Sequence, residues 1–540
     1  MTAADPETRV WHRLALVWFL VTVFAPVIAL LASAVQDAGG GQTSWLSLAI
    51  PWGRCGLLLL RSVVLAGAVA AAALVWGFLA ATILWRWQTG RKAWLRWLLL
   101  ALAPVPPYVH ALAWSAAAGA ASHALQGLLG VSLTGSTFLS SWWVQVMAFL
   151  PLAIGLCLVG LESVDMTLIE AGRVLQDDRR VLFRVIIPLA GPILLTAFGL
   201  LFLLSLVDYS VPSLFGLNVY ALEIFAEYSA SHAPRLALAL ALPVLMLTVV
   251  AVLASQAAAR QAAQPPPWRH RRWSTPPGWP SWLQGMQWAA AVILLLSIAV
   301  PAVTLVVVVG SWASLAANLA AARSEISFSL WQSLATAMVC LPGAAAVGQE
   351  LSRPGVAGRL WWLVATLPLA VPAPLVGIGL IGLSHLPLGD SLAGTRLWVV
   401  WATLARFTPL AALVMLSQWR RVDPLLLDAA HLLPSTPART WWLIKIPMLA
   451  PGFLAAFCLV FALSLGELGA VLMVAPPGAA TLTMRIYNYL HYGAADTVAG
   501  LCLMMALGAL TAGVVAVATL ALWSRLLPST ASPPPEEATG

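Results

Sequence analysis

Apolar and polar positions alternate along this chain on a scale much longer than a helical turn. Runs of about 20 apolar residues, the length a helix needs to cross a hydrocarbon core, recur between short polar stretches. The pattern predicts about twelve spans. Six fall in the first half, at about 14–35, 57–85, 97–120, 142–161, 186–209 and 236–258. Six fall in the second, at about 283–312, 328–348, 360–384, 397–418, 446–474 and 497–524. The fold class expected is all-α: a polytopic membrane protein of about twelve transmembrane helices.

The polar stretches also carry the basic residues. An even number of spans puts both termini on one side, and Lys and Arg mark cytoplasmic loops. A cytoplasmic N-terminus places most arginines there, including Arg86, Arg91, Arg96, Arg173, Arg179, Arg180, Arg184, Arg269, Arg271, Arg272, Arg420, Arg421 and Arg439. Trp85, Trp87, Trp94 and Trp97 cluster at one such boundary, as interfacial anchors do. Arg9 and Arg13 before an apolar run that contains Ala32-Ser33-Ala34 resemble a secretory signal. The run of about 20 residues exceeds the 7–15 of a signal core, so it is read as a retained first span.

The two halves repeat in the same orientation. Pro151 pairs with Pro409, and Glu170 with Asp428, each 258 residues on. Pro188 pairs with Pro447 and Pro192 with Pro451, each 259 residues on, so one residue is lost in between. "FLLSLVDY" (202–209) matches "FALSLGEL" (461–468), which pairs Asp208 with Glu467. "LAPVPPYVHAL" and "LPLAVPAPLVGIGL" form a further pair of proline-broken segments. Six spans per half make the repeats parallel, related by an axis along the membrane normal, with a substrate path between them. The division expected is a first half at 1–259, a Pro/Arg-rich cytoplasmic linker at 260–282, a second half at 283–527 and a disordered cytoplasmic tail at 528–540.

One polar element is itself duplicated. "EAGRVLQDDRRVLFRVIIPLAGP" (170–192) returns as "DAAHLLPSTPARTWWLIKIPMLAP" (428–451). Each copy opens on an acid and small residues: Glu170, Ala171 and Gly172, then Asp428, Ala429 and Ala430. Acids suit a helix start and small residues allow close helix contact. Each copy closes on a proline, Pro188 or Pro447, that fits the first turn of the next helix. The prediction is a short helix, a turn and a second helix start at the cytoplasmic surface, within loops 162–187 and 420–446.

Both segments resemble the "EAA" loop of ABC-importer permeases, the inner-membrane subunits of binding-protein-dependent transport systems. The family pattern is roughly E-A-A-x-x-x-G, about ten residues, then I-x-L-P. Glu170, Ala171 and Gly172 match its opening, and Val185, Ile187 and Pro188 its close. Asp428, Ala429, Ala430, Ile444, Ile446 and Pro447 match in the second copy. The family glycine is replaced by Pro434 in the second copy and is missing or replaced by Gln176 in the first, and Asp428 stands for Glu. Two fused halves, with "GELGAVLMVAPPGAATLTMRIYNYLHYGAADTVAGLCLM" (466–504) in the second, look most like iron(III)-type permeases. The resemblance implies loops that dock on two copies of an ABC ATP-binding subunit, which carries the ATP and Mg, and a periplasmic binding protein that delivers solute. It implies a bacterial inner-membrane location with both termini cytoplasmic. Ferric iron is the substrate it favours, with thiamine, polyamine, sulfate and phosphonate importers sharing the architecture.

Composition narrows the picture further. Only 9% of the 540 residues are charged, against about 25% in an ordinary globular domain, and mean hydropathy is +0.90. The net charge of +8 therefore marks loops, and no nucleic-acid partner is expected. The only lysines are Lys92 and Lys445, and neither closes a phosphate-cradling G-x-x-x-x-G-K-[ST] loop, so no ATPase site and no cofactor are expected in this chain. The five cysteines show no metal-site spacing and are read as packing residues. No nucleophile–base constellation appears, so no catalytic residues are assigned. His110, His385 and His491 show no ligand spacing, which leaves metal ligands unknown.

Asp208, Tyr209 and Glu467 are the candidates for a substrate path or gate. Each acid lies 20 residues beyond the paired proline, roughly 30 Å along a helix, near the outer mouth. One reading is an acidic collar on a cation path. The other is a structural pair with an arginine such as Arg235 or Arg485, or interfacial exposure. Arg406 is read as snorkelling from a helix end. Glu223, Glu227 and Tyr228 lie in an outer loop that could touch a binding protein. A secondary transporter with a 6+6 repeat is the alternative class. It would show carboxylates, His or Asn at mid-helix depth, and the span centres here are nearly free of acids.

Overall fold

The computed structural model describes residues 6–36, 53–86, 105–129, 136–262, 280–385, 387–420, 422, 425, 437–492 and 495–526. The described residues are helical, without strands, as required of a chain that must satisfy its backbone polar groups inside a bilayer. The helices are α1 (Pro6–Gln36), α2 (Gly53–Arg86), α3 (Pro107–Leu129), α4 (Thr137–Glu162), α5 (Met166–Leu175), α6 (Asp178–Val207), α7 (Ser210–Leu214), α8 (Tyr220–Ser231) and α9 (Pro234–Ala262). The second half follows with α10 (Ser281–Val309), α11 (Trp312–Ala321), α12 (Arg323–Leu351), α13 (Gly355–Ala370), α14 (Ala373–Ser384), α15 (Arg396–Trp419), α16 (Trp441–Leu465), α17 (Val471–Val474), α18 (Leu482–Tyr492) and α19 (Ala495–Leu526).

Ten of these helices are long and apolar enough to span a membrane, and α13 with α14 makes an eleventh bent by 97°. The twelfth expected span, 97–120, is only partly described: α3 begins at Pro107. The bend between α13 and α14 falls on the proline-rich Val371-Pro372-Ala373-Pro374, and α3 starts on Pro107 after Val105 and Pro106. Proline supplies no N–H and its ring excludes the carbonyl four residues back, so the helix breaks there. Two expected spans also end early. Helix α6 stops at Val207 and α16 at Leu465, which puts Asp208 and Glu467 in the breaks that follow and not inside helices.

The prolines at 188 and 447 behave differently from the expectation. Neither starts a helix. Helix α6 begins ten residues earlier, at Asp178, and passes through a π-helical turn over Leu182–Ile186 before Pro188. Its counterpart runs through a π turn over Trp441–Lys445 before Pro447. A wider turn absorbs the donor that proline lacks and makes room for its ring.

The first helix of each half packs into the other half. Phe19 and Val23 of α1 sit in a core with Ala344, Val347, Leu404, Ala411 and Met415. Leu283 and Ala290 of α10 sit in a core with Leu79, Trp85, Leu150 and Ile154. Small residues permit this closeness, as is usual where no water drives helices together. A Cβ placed on Gly379 of α14 would lie 2.0 Å from the Pro26 carbonyl oxygen of α1, and one on Gly382 would lie 2.3 Å from Ser33 Oγ. Within the halves, Gly77 of α2 meets Ala153 of α4 and Gly348 of α12 meets Met415 of α15, with hypothetical Cβ contacts of 2.9 and 2.8 Å. Outward faces carry exposed apolar side chains such as Trp288, Leu295, Val306 and Val307, suited to lipid.

Candidate functional site

The two acids end their helices in the same way. Asp208 follows the last turn of α6, and its Oδ1 accepts from the Ser210 backbone N–H at 3.0 Å and from Ser210 Oγ at 2.6 Å, opening α7. Glu467 follows α16, and its Oε1 accepts from the Ala470 backbone N–H at 2.9 Å, just before α17. The longer side chain reaches one residue further. Each carboxylate thus satisfies orphan donors at a helix start, and each keeps a second oxygen for a neighbour.

Those neighbours differ. In the first half Gln145 Nε2 of α4 donates to Asp208 Oδ2 at 2.8 Å, and Gln145 Oε1 accepts from Ser205 Oγ at 2.7 Å. In the second, Arg406 of α15 forms an ion pair with Glu467 through Nη1 and Oε2. Arg406 is therefore not snorkelling; it is the partner of a carboxylate that is 7% exposed, and its guanidinium lies over the Phe407 ring. Arg485, the alternative considered, pairs with Glu325 at 2.5 Å and lies over Tyr489.

Asp208, Tyr209 and Glu467 line one cavity of about 240 Å³ between the halves. Its walls come in matched pairs: Phe149 with Phe407, Leu204 with Leu463, and the proline breaks at Pro107 and Ala373. Gly466 and Gly469 let these breaks close on the acid-bearing loop; a Cβ on either would lie 2.7 Å from Pro106 or Ala373 respectively. The Tyr209 hydroxyl is buried without a partner among the described residues. Among the described residues no cluster of His, Cys, Asp and Glu could hold a metal ion. Among the described residues the cavity is lined by one guanidinium and two carboxylates.

The duplicated polar hairpin is described in its first copy. Asp165 caps α5 by accepting from the Thr167 N–H at 2.8 Å, and the chain turns at Gln176 and Asp177 into α6. Arg173 Nε pairs with Asp178 Oδ1 across the turn at 2.8 Å. Ile169 is fully buried among Leu161, Val181, Leu182 and Ile186, so the hairpin is fixed to the ends of α4 and α6. Gly172 faces Val181, where a Cβ would lie at 3.4 Å. Glu170 is half-buried, and Ala171 and Pro188 are exposed. Beyond them Val174 and Leu175 are 84% and 82% exposed, an apolar edge on a polar element. Asp428, Ala429 and Ala430 lie outside the described residues, and the second copy is described only from Pro437 through Pro447 onward.

At the opposite ends of the helices, α8 and α18 repeat a second motif. Ser62 Oγ of α2 accepts from the Tyr220 N–H at 2.8 Å, and Ser329 Oγ of α12 accepts from the Leu482 N–H at 2.7 Å. Glu223 pairs with Arg54 at 2.6 Å, and the polarity is reversed in the Arg485–Glu325 pair. Tyr228 is buried in a core that α8 and α9 share with Leu375 and Ile378 of α14, and it is not displayed to a partner, contrary to expectation. Sequence reasoning also passed over Gln145. Its signal was there, as an amide in the middle of an apolar run.

Comparison with known proteins places this geometry. The family described as "Binding-protein-dependent transport system inner membrane component" matches residues 73–264, a stretch that includes the first hairpin, Gln145, Asp208 and Tyr209. A permease named for 2-aminoethylphosphonate transport in Salmonella typhimurium is 33% identical over 144 residues, 26% of this chain and 52% of that protein. The putrescine transport system permease protein of Escherichia coli is 30% identical over 132 residues, 24% of this chain and 47% of its own. A molybdate/tungstate transport system permease protein of Pyrococcus abyssi is 29% identical over 168 residues, 31% and 65% respectively. The chain thus spans about half the length of the first two relatives. These names concern phosphonate, polyamine and molybdate, and they give the expected ferric iron no support. Residues 73–264, which carry the hairpin and one wall of the cavity, are thus similar to the inner membrane components of binding-protein-dependent transport systems.

Proposed function

We propose that this chain is the membrane-spanning permease of an ATP-driven ABC importer, with both half-channels in one polypeptide. A periplasmic binding protein delivers a small solute to the cavity between the halves. Two copies of an ABC ATP-binding subunit, carrying ATP and Mg, dock on the two polar hairpins at the cytoplasmic side. Glu170, Ala171, Gly172 and Pro188 form the first docking element, and Asp428, Ala429, Ala430 and Pro447 the second. Both termini are cytoplasmic, in a bacterial inner membrane. Asp208, Tyr209 and Glu467 flank the path of the solute.

The observation that carries this reading is the hairpin. Its outer edge is apolar and exposed at Val174 and Leu175, while Ile169 ties its inner face to the core of α4 and α6. A partner that grips the edge therefore moves the helices that wall the cavity. Such movement opens the cavity to one side or the other by shifting the balance of two states. The relatives' names make a phosphonate or a polyamine the first solutes to try. An ion-gradient carrier would need no such handle.

The test is the energy source. Proteoliposomes containing this chain, an ATP-binding subunit and the binding protein should accumulate solute only with ATP inside. Accumulation driven by a proton or sodium gradient without nucleotide would overturn the reading.

A further inference from the structure

We propose that the cavity takes an organic ammonium group, with Asp208 as its counter-charge and Tyr209 as its polar and aromatic contact. This rests on the reading of the cavity as the solute path. The argument begins from what the two halves share. Both acids bind a backbone N–H that opens the next helix, so that role is architectural. What remains is the second carboxylate oxygen of each. Glu467 directs its second oxygen to Arg406 and is neutralised as an ion pair. Among the described residues Asp208 receives neutral donors alone, from Gln145 and from the turn that opens α7. A carboxylate lining a membrane cavity without a bonded cation is costly. The wall therefore holds one carboxyl group with no ion-pair partner among the described residues, on the first-half side.

A second observation points to a ligand independently. Tyr209, next in sequence to Asp208, is 5% exposed and lines the same cavity, and its buried hydroxyl has no hydrogen-bond partner among the described residues. A buried hydroxyl left unpaired costs free energy that a bound polar group would recover. Phe149 adds an aromatic face to the same walls, and such rings attract cations; the Phe407 ring already carries Arg406. Among the described residues the one cationic side chain in the wall, Arg406, is already taken by Glu467, so they offer a purely anionic solute no free positive group. A bare metal ion meets no ligand cluster among the described residues. An alkylammonium group fits the charge, the hydroxyl and the rings together.

The experiment uses the full chain in lipid nanodiscs, with binding of putrescine, 2-aminoethylphosphonate and molybdate followed by calorimetry and by thermal unfolding. Putrescine should bind and stabilise, 2-aminoethylphosphonate should bind through its amine, and molybdate should do neither. Asp208→Asn keeps an acceptor for the Ser210 N–H and removes the charge; it should weaken putrescine binding about tenfold or more. Tyr209→Phe keeps the ring and should weaken it several-fold. Both variants should still co-purify an ATP-binding subunit, which separates failure of this inference from failure of the importer reading. Binding of molybdate in preference to putrescine, or putrescine affinity unchanged in both variants, would overturn the proposal.

Discussion

The two halves of the molecule agree in their mechanics and differ in their chemistry. Proline-driven π turns precede Pro188 and Pro447 at the same spacing. Serine hydroxyls from α2 and α12 hold the starts of α8 and α18. Each half lends its first helix to the other. Against this shared frame, the carboxylate in the first half is held by an amide and that in the second by a guanidinium. The outer ion pairs run Arg54–Glu223 in one half and Glu325–Arg485, reversed, in the other. At the end of α1, His12 meets Glu350 at 2.7 Å, whereas on α10 Gln287 donates to Thr82 at 2.9 Å. Duplicated features are those that any two-fold moving frame needs. Unduplicated ones set one side of the cavity apart from the other.

That contrast can be broken most sharply at the carboxylates. Glu467→Ala strands Arg406 in a low-dielectric wall and should cost about 3–5 kcal/mol, read as thermal unfolding in nanodiscs. Gln145→Ala leaves Asp208 with its turn contacts and should cost only about 1–3 kcal/mol. Equal losses would mean that the two sides are electrostatically alike. Next in size are the matched glycines. Gly77→Ala and Gly348→Ala each force a methyl against the facing helix, and each should cost about 1–3 kcal/mol despite the gain in helix propensity. A large loss at only one of them would break the mechanical equivalence. Smallest is the outer ion pair. Arg54→Glu with Glu223→Arg reproduces the polarity of the second half and should restore most of what either single change loses, itself no more than about 1 kcal/mol at an exposed site.

Much of this was legible in the chain. The 258- and 259-residue offsets pair the prolines, the hairpins and the acids within the sequence itself, because a duplicated frame repeats its breaks. The shared cavity of Asp208, Tyr209 and Glu467 followed from that pairing. Three things were not legible. Arg406 lies 61 residues from Glu467, and spacing along a span does not say which way a side chain faces. The exchange of α1 and α10 between halves leaves no periodic mark, since a helix that is apolar all round does not declare its partner. The π turns arise because the helix continues through Pro188 and Pro447, where local propensity argues for a start.

The central claim is that the polar hairpin is the handle by which a separate ATPase moves the cavity walls. The most direct measurement replaces its exposed apolar edge, Val174→Glu with Leu175→Glu, and follows ATPase co-purification together with ATP-driven uptake in proteoliposomes. The account predicts that both are lost while the chain keeps its unfolding temperature. ATPase attachment and uptake at the original level would contradict it.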